Sequence, residues 1–487
     1  MSEMYTELAP GLQISRVLTG LWQIADLERD GNTLDPYATS QFMQPYVDAG
    51  FTTFDMADHY GSAEVISGVF NANRSADQKA QMFTKWVPEP GKVSKETIRV
   101  NVEKALNRLQ TNQIDLLQYH AWSYPDPAWL DTLFELQELK REGLIKHLGV
   151  TNFDSAHLRI ALASGIELVS NQVCYSLLDQ RANHEMRAVC EQYGVKLLAF
   201  GTLAGGFLTN KWLNKPEPNV DESFTWSQMK YKRFIDEAGS WSDFQNLLPT
   251  LDRISQKHQI SIANVATKFI LEQSHVAGVI VGARLGKSEH IQDNAKLFRF
   301  ELDQDDLNAI QEQLDQLNSI HGDCGDEYRK PPFLTASGDL SHHLKGFPSP
   351  YETKTLKNGN QLVVSGTYWE EMAGYSRAIK VGNTIKVSGT TATHGNLMIG
   401  GTDLKAQTHF IIDKIEGAII SLGGTLEDVD RTRIFVNDVN DWEPVARAHG
   451  ERFKDIKPAN TLVEARLVGE GYKVEIEAEA TLKSKKE

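Results

Sequence analysis

From about Val17 to residue 320, short apolar runs alternate with longer amphipathic stretches, the pattern of parallel strands separated by crossover helices. Eight runs are predicted as strands: 16–22, 52–57, 81–86, 114–120, 145–150, 167–173, 195–200 and 276–282. Most are apolar at consecutive positions, as strands covered on both faces must be. Between them the helical period is plain. In 94–110, Ile98, Val102, Ala105, Leu106 and Leu109 share one face behind Ser94, a suitable N-cap. Segment 127–143 repeats the pattern up to Gly143, a suitable C-cap. Eight βα units suit a closed (β/α)8 TIM barrel, although a doubly wound sheet has the same local pattern. No G-x-G-x-x-G run follows any of these strands, which favours the barrel.

After residue 320 the periodicity fades into a stretch rich in Gly, Pro, Ser and charge that runs to about residue 360. The expected division is a barrel over 1–320, a linker over 321–350 and a second domain over 351–487. That second block has apolar runs near 375–391, a helix over 404–424, a strand from Arg431, a helix from Trp442 and two further strands. The last sets Val474, Ile476, Ala478 and Ala480 against Glu475, Glu477 and Glu479, a half-buried antiparallel pattern. The block reads as a small α+β domain.

Composition narrows the class. Hydrophobic residues at 41% and charged residues at 24% provide for real cores in a chain of 487 residues. A net charge of −15 argues against sequence-independent binding to nucleic acid or to an anionic membrane. The cysteines Cys174, Cys190 and Cys324 form no C-x-x-C, so neither a disulfide framework nor a metal ribbon is expected. No run approaches the ~18 apolar residues of a membrane span, and the first residues lack a basic segment leading into an apolar one. A cytoplasmic protein that binds no metal is expected.

Barrel enzymes keep their chemistry at the C-terminal ends of the strands. There the second strand ends at Asp55 with Tyr60 in the loop beyond, the third at Lys85 and the fourth at His120. The set suits carbonyl reduction, where negative charge grows on an oxygen and must be protonated. Tyrosine is a weak acid, and a lysine ammonium beside it favours the phenolate. Asp55 would hold Lys85 charged, and His120 could polarise the carbonyl. Taken singly, each residue also fits a cap, a half-buried ring, a solvated amine or a core imidazole.

The run Asp55-Met56-Ala57-Asp58-His59-Tyr60-Gly61-Ser62-Ala63-Glu64 resembles the D-x-A-x-x-Y-G-x-x-E signature of the aldo-keto reductases. That resemblance extends over about 10–320 and implies a catalytic tetrad of Asp55, Tyr60, Lys85 and His120. It implies cofactor contacts from Gly20, Trp22 and Asp55, from Thr151 and Asn152, and from Gln172, with Asn152 and Gln172 on the nicotinamide carboxamide. Phe200 is the expected stacking ring, with Gly201 and Leu203 following it. Trp22, Trp86 and Trp122 are candidates to flank the pocket, and each equally suits barrel packing.

The run 282–294 contains G-x-x-x-G-K-S, one residue short of a P-loop between Gly282 and Gly286. Following the eighth strand and Gly282, it suits an adenosine-phosphate site with backbone N–H groups at a helix start and Arg284, Lys287 and Ser288 as donors, and Asp293 and Asn294 resemble the aldo-keto reductases' adenine contacts. Two cations point to NADP (NADPH) over NAD. Residues 370–485 resemble the Rid/YjgF family, of chorismate-mutase-like fold, whose trimers hydrolyse enamines and imines. Tyr375, Gly389 and Glu475 match functional positions, while Asn460 stands where an arginine is expected. The leading expectation is an NADP-dependent oxidoreductase reducing a small-molecule aldehyde or ketone to an alcohol, with a C-terminal module that oligomerises, as a homo-trimer, or senses a ligand. A redox-sensing NADP-binding module with little turnover and an imine or enamine deaminase in the C-terminal domain stay open.

Overall fold

The computed structural model describes residues 3–335 and 346–483, apart from Asn73 and Glu222. An antiparallel hairpin of β1 (Tyr5–Ala9) and β2 (Leu12–Ser15) opens the chain. Eight strands follow: β3 (Val17–Gly20), β4 (Thr53–Asp55), β5 (Gln81–Trp86), β6 (Ile114–Tyr119), β7 (Ile145–Thr151), β8 (Leu168–Cys174), β9 (Lys196–Phe200) and β10 (Val276–Gly282). They close in that order, β10 returning to β3, and every pairing among them is parallel. All eight predicted strands are present. The helices form as their patterns dictate: Ser94 Oγ accepts from Thr97 N to start Lys95–Leu109, and Gly143, at φ +87°, follows the end of Ala128–Arg141.

The hairpin was not anticipated from sequence. Leu8, Leu12 and Ile14 pack against the inward Leu18, Phe83, Leu116 and Leu198 near the starts of their strands. Burying side chains of this size is worth about 1.5–3 kcal/mol each. The hairpin seals the N-terminal end of the barrel and leaves the other end for ligands.

The expected linker is only partly a connector. Residues 320–335 fold back over the C-terminal end of the barrel, burying Cys324, Asp326, Glu327 and Leu334. Arg181 from the barrel grips both Asp179, at 2.6 Å, and Glu327 of this strap, at 2.9 Å. Residues 336–345 of the expected linker lie outside the described ones. The texture that suggested a connector to about residue 360 also concealed two strands, β11 (Glu352–Thr355) and β12 (Gln361–Val364), which pair into the second sheet. Every β11 residue is exposed, so no hydrophobic alternation marks it.

That sheet continues with β13 (Ala378–Val381) and β14 (Thr384–Thr391), passes a short hairpin of β15 (Thr393–His394) and β16 (Leu397–Met398), and adds β17 (Val429–Val436), β18 (Ala459–Glu464) and β19 (Val474–Thr481). Its spatial order is β11-β12-β13-β14-β19-β17-β18, with β17 and β18 the parallel pair. The helix Leu404–Ser421 buries Phe410, Ile411, Ile415 and Ile419 and packs against β14 and β19. Its other side lies on the barrel helix Ser155–Ala163. Glycine permits this approach: a Cβ at Gly417 would lie 2.5 Å from the Pro125 carbonyl oxygen.

Candidate active site

At the open end of the barrel lies a cleft of about 570 Å³. Its floor holds the four residues singled out at the strand ends. Lys85 Nζ donates to Asp55 Oδ2 at 2.7 Å and to the Met56 carbonyl at 2.8 Å, with both charged side chains almost wholly buried. Burial pushes the Lys85 ammonium below the ordinary lysine range, and Asp55 opposes that shift. The ammonium stands 5.0 Å from the centroid of the half-buried Tyr60 ring.

Asp55 is held from its other side too. Its Oδ1 accepts from Gln172 Nε2 at 2.7 Å and Gln118 Nε2 at 3.2 Å, and Gln172 Nε2 also reaches Gln118 Oε1. With its amide hydrogens used inward, Gln172 offers a ligand its oxygen. Asn152, at φ +58°, turns the chain sharply after β7 and has its Oδ1 buried with no partner among the described residues. Two amide oxygens in one wall fit the NH2 group of a carboxamide.

His120 is buried beside them, and burial holds its pKa well below the usual histidine range, so the ring is neutral. Its Nδ1 lies 3.3 Å from the Thr151 carbonyl, and its Nε2, like Thr202 Oγ1, has no partner among the described residues. These two buried polar atoms border the cleft and are available to a ligand or to water there.

Gly20, Trp22, Thr151, Phe200, Gly201 and Leu203 all line the cleft. Gly201, at φ +78°, is required: a Cβ there would fall 2.4 Å from the Tyr231 hydroxyl oxygen. Beyond β10, Gly282, Arg284, Ser288, Asp293 and Asn294 line its far end. Lys287 is exposed and lies outside the lining, because the turn that bonds Ser288 N to the Arg284 carbonyl carries it outward. Asp293 is engaged by Ser261 Oγ at 2.7 Å and Lys296 Nζ at 3.2 Å. The run closes in a four-residue helical turn, Ile291–Asn294. Trp22 and Trp122 border the cleft, whereas Trp86 packs against Tyr119 outside it.

Several lining residues were missed from sequence, two of them above the strand ends. Lys230, on the helix Trp226–Ala238, and Tyr328, on the strap, bond Nζ to Oη above the tetrad, and the Tyr328 ring stands edge-on to His120 at 5.7 Å. Nothing local in either stretch signals this role, which depends on a strap folding back across the barrel.

In the C-terminal domain, Gly389 faces Glu475 so closely that a Cβ would lie 2.0 Å from its Oε1. Burial raises the Glu475 carboxyl, while Arg377 opposes the rise. Asn460 gives its Nδ2 to Thr432 Oγ1 at 2.8 Å. A guanidinium does stand near this group: Arg377, buried, bonds the Ser388 and Gly389 carbonyls at 2.6 Å and lies 5.9 Å from the Tyr375 ring.

Residues 16–315 match the model of the aldo/keto reductase family, and residues 366–482 that described as endoribonuclease L-PSP. The NADH-specific methylglyoxal reductase of Escherichia coli is 25% identical over 332 residues, covering 63% of this chain and 96% of its own. An aldo-keto reductase of Bacillus subtilis is 25% identical over 339 residues, covering 67% and 98%. An uncharacterised protein of Streptomyces coelicolor is 37% identical over 110 residues, covering 23% of this chain and 79% of its own. Among solved structures, the glycerol dehydrogenase of Gluconobacter oxydans shares the barrel fold at a TM-score of 0.55 and 22% identity, over 66% of this chain and 98% of that one.

Proposed function

Because the chain belongs to the aldo/keto reductase family, we propose that it is an NADP-dependent reductase that turns an aldehyde or ketone into an alcohol, with Tyr60 as proton donor. One observation carries the reading: the buried Lys85–Asp55 pair, at 2.7 Å, set beside the Tyr60 ring. A nicotinamide held by Asn152 and Gln172 would supply the hydride. As negative charge grows on the carbonyl oxygen, Tyr60 gives up its proton, and the Lys85 ammonium stabilises the phenolate left behind. Asp55 keeps that ammonium charged against its burial.

The role of His120 depends on its tautomer. With a proton on Nδ1 toward Thr151, the neutral ring presents a lone pair at Nε2, suited to accept from an alcohol. Donation to a carbonyl requires the other tautomer. The Thr151 contact is long at 3.3 Å, so giving it up costs no more than about 0.5–1.5 kcal/mol. Asn152 and Gln172 would fix the carboxamide, and Phe200 offers a ring for stacking.

Preference for NADP over NAD rests on Arg284 alone among the two cations first considered, since Lys287 turns away. The relative named NADH-specific makes direct comparison of NADPH with NADH essential. The test is cofactor oxidation across a panel of aldehydes and ketones with Tyr60→Phe and Arg284→Ala alongside. Tyr60→Phe should lower kcat by about 10²–10⁴, and Arg284→Ala should weaken NADPH more than NADH. Equal turnover by Tyr60→Phe removes the mechanism. Tight NADPH binding without turnover on any carbonyl supports the redox-sensing reading instead.

For the C-terminal domain, we infer association into a homo-trimer. The face of its sheet away from the helix Leu404–Ser421 carries half-exposed Arg433, Glu477 and Glu479. Light scattering should give three times the 54.5 kDa chain mass. A monomer refutes the inference. Imine hydrolysis is disfavoured, because Asn460 is neutral and its amide is bound to Thr432.

A further inference from the structure

The barrel and the second domain meet across a buried charge cluster that none of the chemistry above uses. At its centre is His157, on the barrel helix Ser155–Ala163, 4% exposed. Its Nδ1 lies 2.6 Å from Asp154 Oδ1 and its Nε2 2.9 Å from Asp413 Oδ2, on the C-terminal helix Leu404–Ser421. Both ring nitrogens face carboxylate oxygens, so both carry protons and the ring is an imidazolium. Burial alone would depress its pKa, but the two aspartates outweigh it and the pKa is raised.

The cluster leads to the cleft by two routes. Asp154 caps the helix Ser155–Ala163 through His157 N at 2.8 Å, and lies two residues beyond Asn152, whose φ of +58° needs support from its surroundings. The second route is a stack. The Tyr124 ring lies parallel to His157, at 3.4 Å between centroids and 5° between planes. The Arg329 guanidinium lies 4.5 Å from the same Tyr124 centroid, and the imidazole leaves it only the opposite face. Arg329 then donates to the Asn152 carbonyl at 2.6 Å and the Ala121 carbonyl at 3.0 Å, so it holds the residues on either side of the site, next to Thr151 and His120.

We propose that the C-terminal domain is a working part of the reductase site, with Asp413 a positioning residue that fixes the Thr151–Asn152 turn through His157. The proposal rests on the cofactor-binding reading of that turn. Asp413 is itself tied down by Arg452 at 2.6 Å, which also holds Glu416. Asp323 faces Asp154 from the strap, accepts from Ser155 N at 2.8 Å, and is pushed up to about 6 by burial and by Asp154. Lys330, on the strap, also faces Asp154, His409 lies one turn before Asp413, and the Trp129 ring meets His157 edge-on. Among the described residues of the C-terminal domain, Asp413 alone offers a carboxylate to His157.

The sign of the pH dependence follows. A histidine with a raised folded pKa contributes fully below its unfolded value of 6.5, and the contribution is lost as pH rises through the folded value. NADPH affinity should therefore fall on the alkaline side. In Asp413→Asn that fall should begin at lower pH, because one of the two acceptors holding the proton has lost its charge.

The experiment measures NADPH dissociation constants by cofactor fluorescence from pH 6 to 9, on the full chain, for wild type, Asp413→Asn and Asp403→Asn. Asp403 is the control. It bonds Arg159 at 2.8 Å and Tyr193 at 2.6 Å across the same interface, and caps its own helix as asparagine also can, without touching the stack. Asp413→Asn should weaken NADPH by about two- to thirtyfold, with kcat at saturating NADPH within roughly twofold and the alkaline fall displaced. Asp403→Asn should bind as wild type does. Equal weakening in both variants reduces the cluster to glue and overturns the proposal, as does an unchanged Asp413→Asn. If wild type binds no nicotinamide cofactor, the functional reading fails first and takes this inference with it.

Discussion

Lys85→Met tests whether the buried pair under Tyr60 is there for stability or for chemistry. At 2.7 Å and an effective dielectric of about 20, the Lys85–Asp55 attraction is roughly 6 kcal/mol, and desolvating two charges cancels much of that. Removing one partner is another matter. It leaves Asp55 a lone carboxylate at 3% exposure, with the amides of Gln118 and Gln172 its remaining donors among the described residues. Breaking a buried pair in this way costs about 3–5 kcal/mol, and the two amides place Lys85→Met at the lower end. Asp55→Asn leaves Lys85 with the Met56 carbonyl and should cost a similar amount. The double variant, with neither charge, should return to within about 1 kcal/mol of wild type and still be inactive. Urea unfolding followed by tryptophan fluorescence, with NADPH oxidation on the same samples, measures both. If the double variant is as unstable as the two single losses added together, the pair does not compensate itself and the argument is wrong.

Lys414 bonds the Thr391 and Thr393 carbonyls, and burial pushes its pKa down to about 7. Between that value and 10.5 the unfolded chain binds more protons, so stability should rise with pH by up to about 1.4 kcal/mol per unit, and Lys414→Met should abolish the rise in a pH series of urea melts. Gly417→Ala forces a Cβ to within 2.5 Å of the Pro125 carbonyl. It should loosen the two domains and cost about 1–3 kcal/mol in urea melts, and an unchanged midpoint would refute the close contact. Tyr328→Phe breaks the bond from Lys230 beside His120 and removes a hydroxyl from the cleft, and should raise KM for the carbonyl substrate by about 2–12-fold. An unchanged KM would remove Tyr328 from substrate recognition.

The barrel was legible because most of its strands are apolar at consecutive positions, and the candidate site because four polar residues fall together at the ends of neighbouring strands, where each alone has an ordinary structural reason. Alternation within a strand carried more than was taken from it. If Lys85 points into the barrel, Trp86 must point out toward the helices, and it does. Lys287 shows the limit of composition: adjacency to Arg284 suggested a pair, and only the turn's geometry separates them. Lys230 and Tyr328 were out of reach, since they meet across 98 residues of chain without a repeated motif. The strand Glu352–Thr355 lies at the edge of its sheet and is exposed along its length, so hydrophobic patterning passes over it.

The strap over the barrel has a consequence for how this gene can be divided. The reductase family match ends at residue 315, yet Tyr328 and Arg329, which wall the cleft and clamp its loops, lie beyond that limit. A reductase cut at the edge of its sequence family would keep every strand and lose the roof of its own pocket. A second module joined at residue 315 would have to rebuild that roof, whereas one joined after residue 335 would leave the pocket whole.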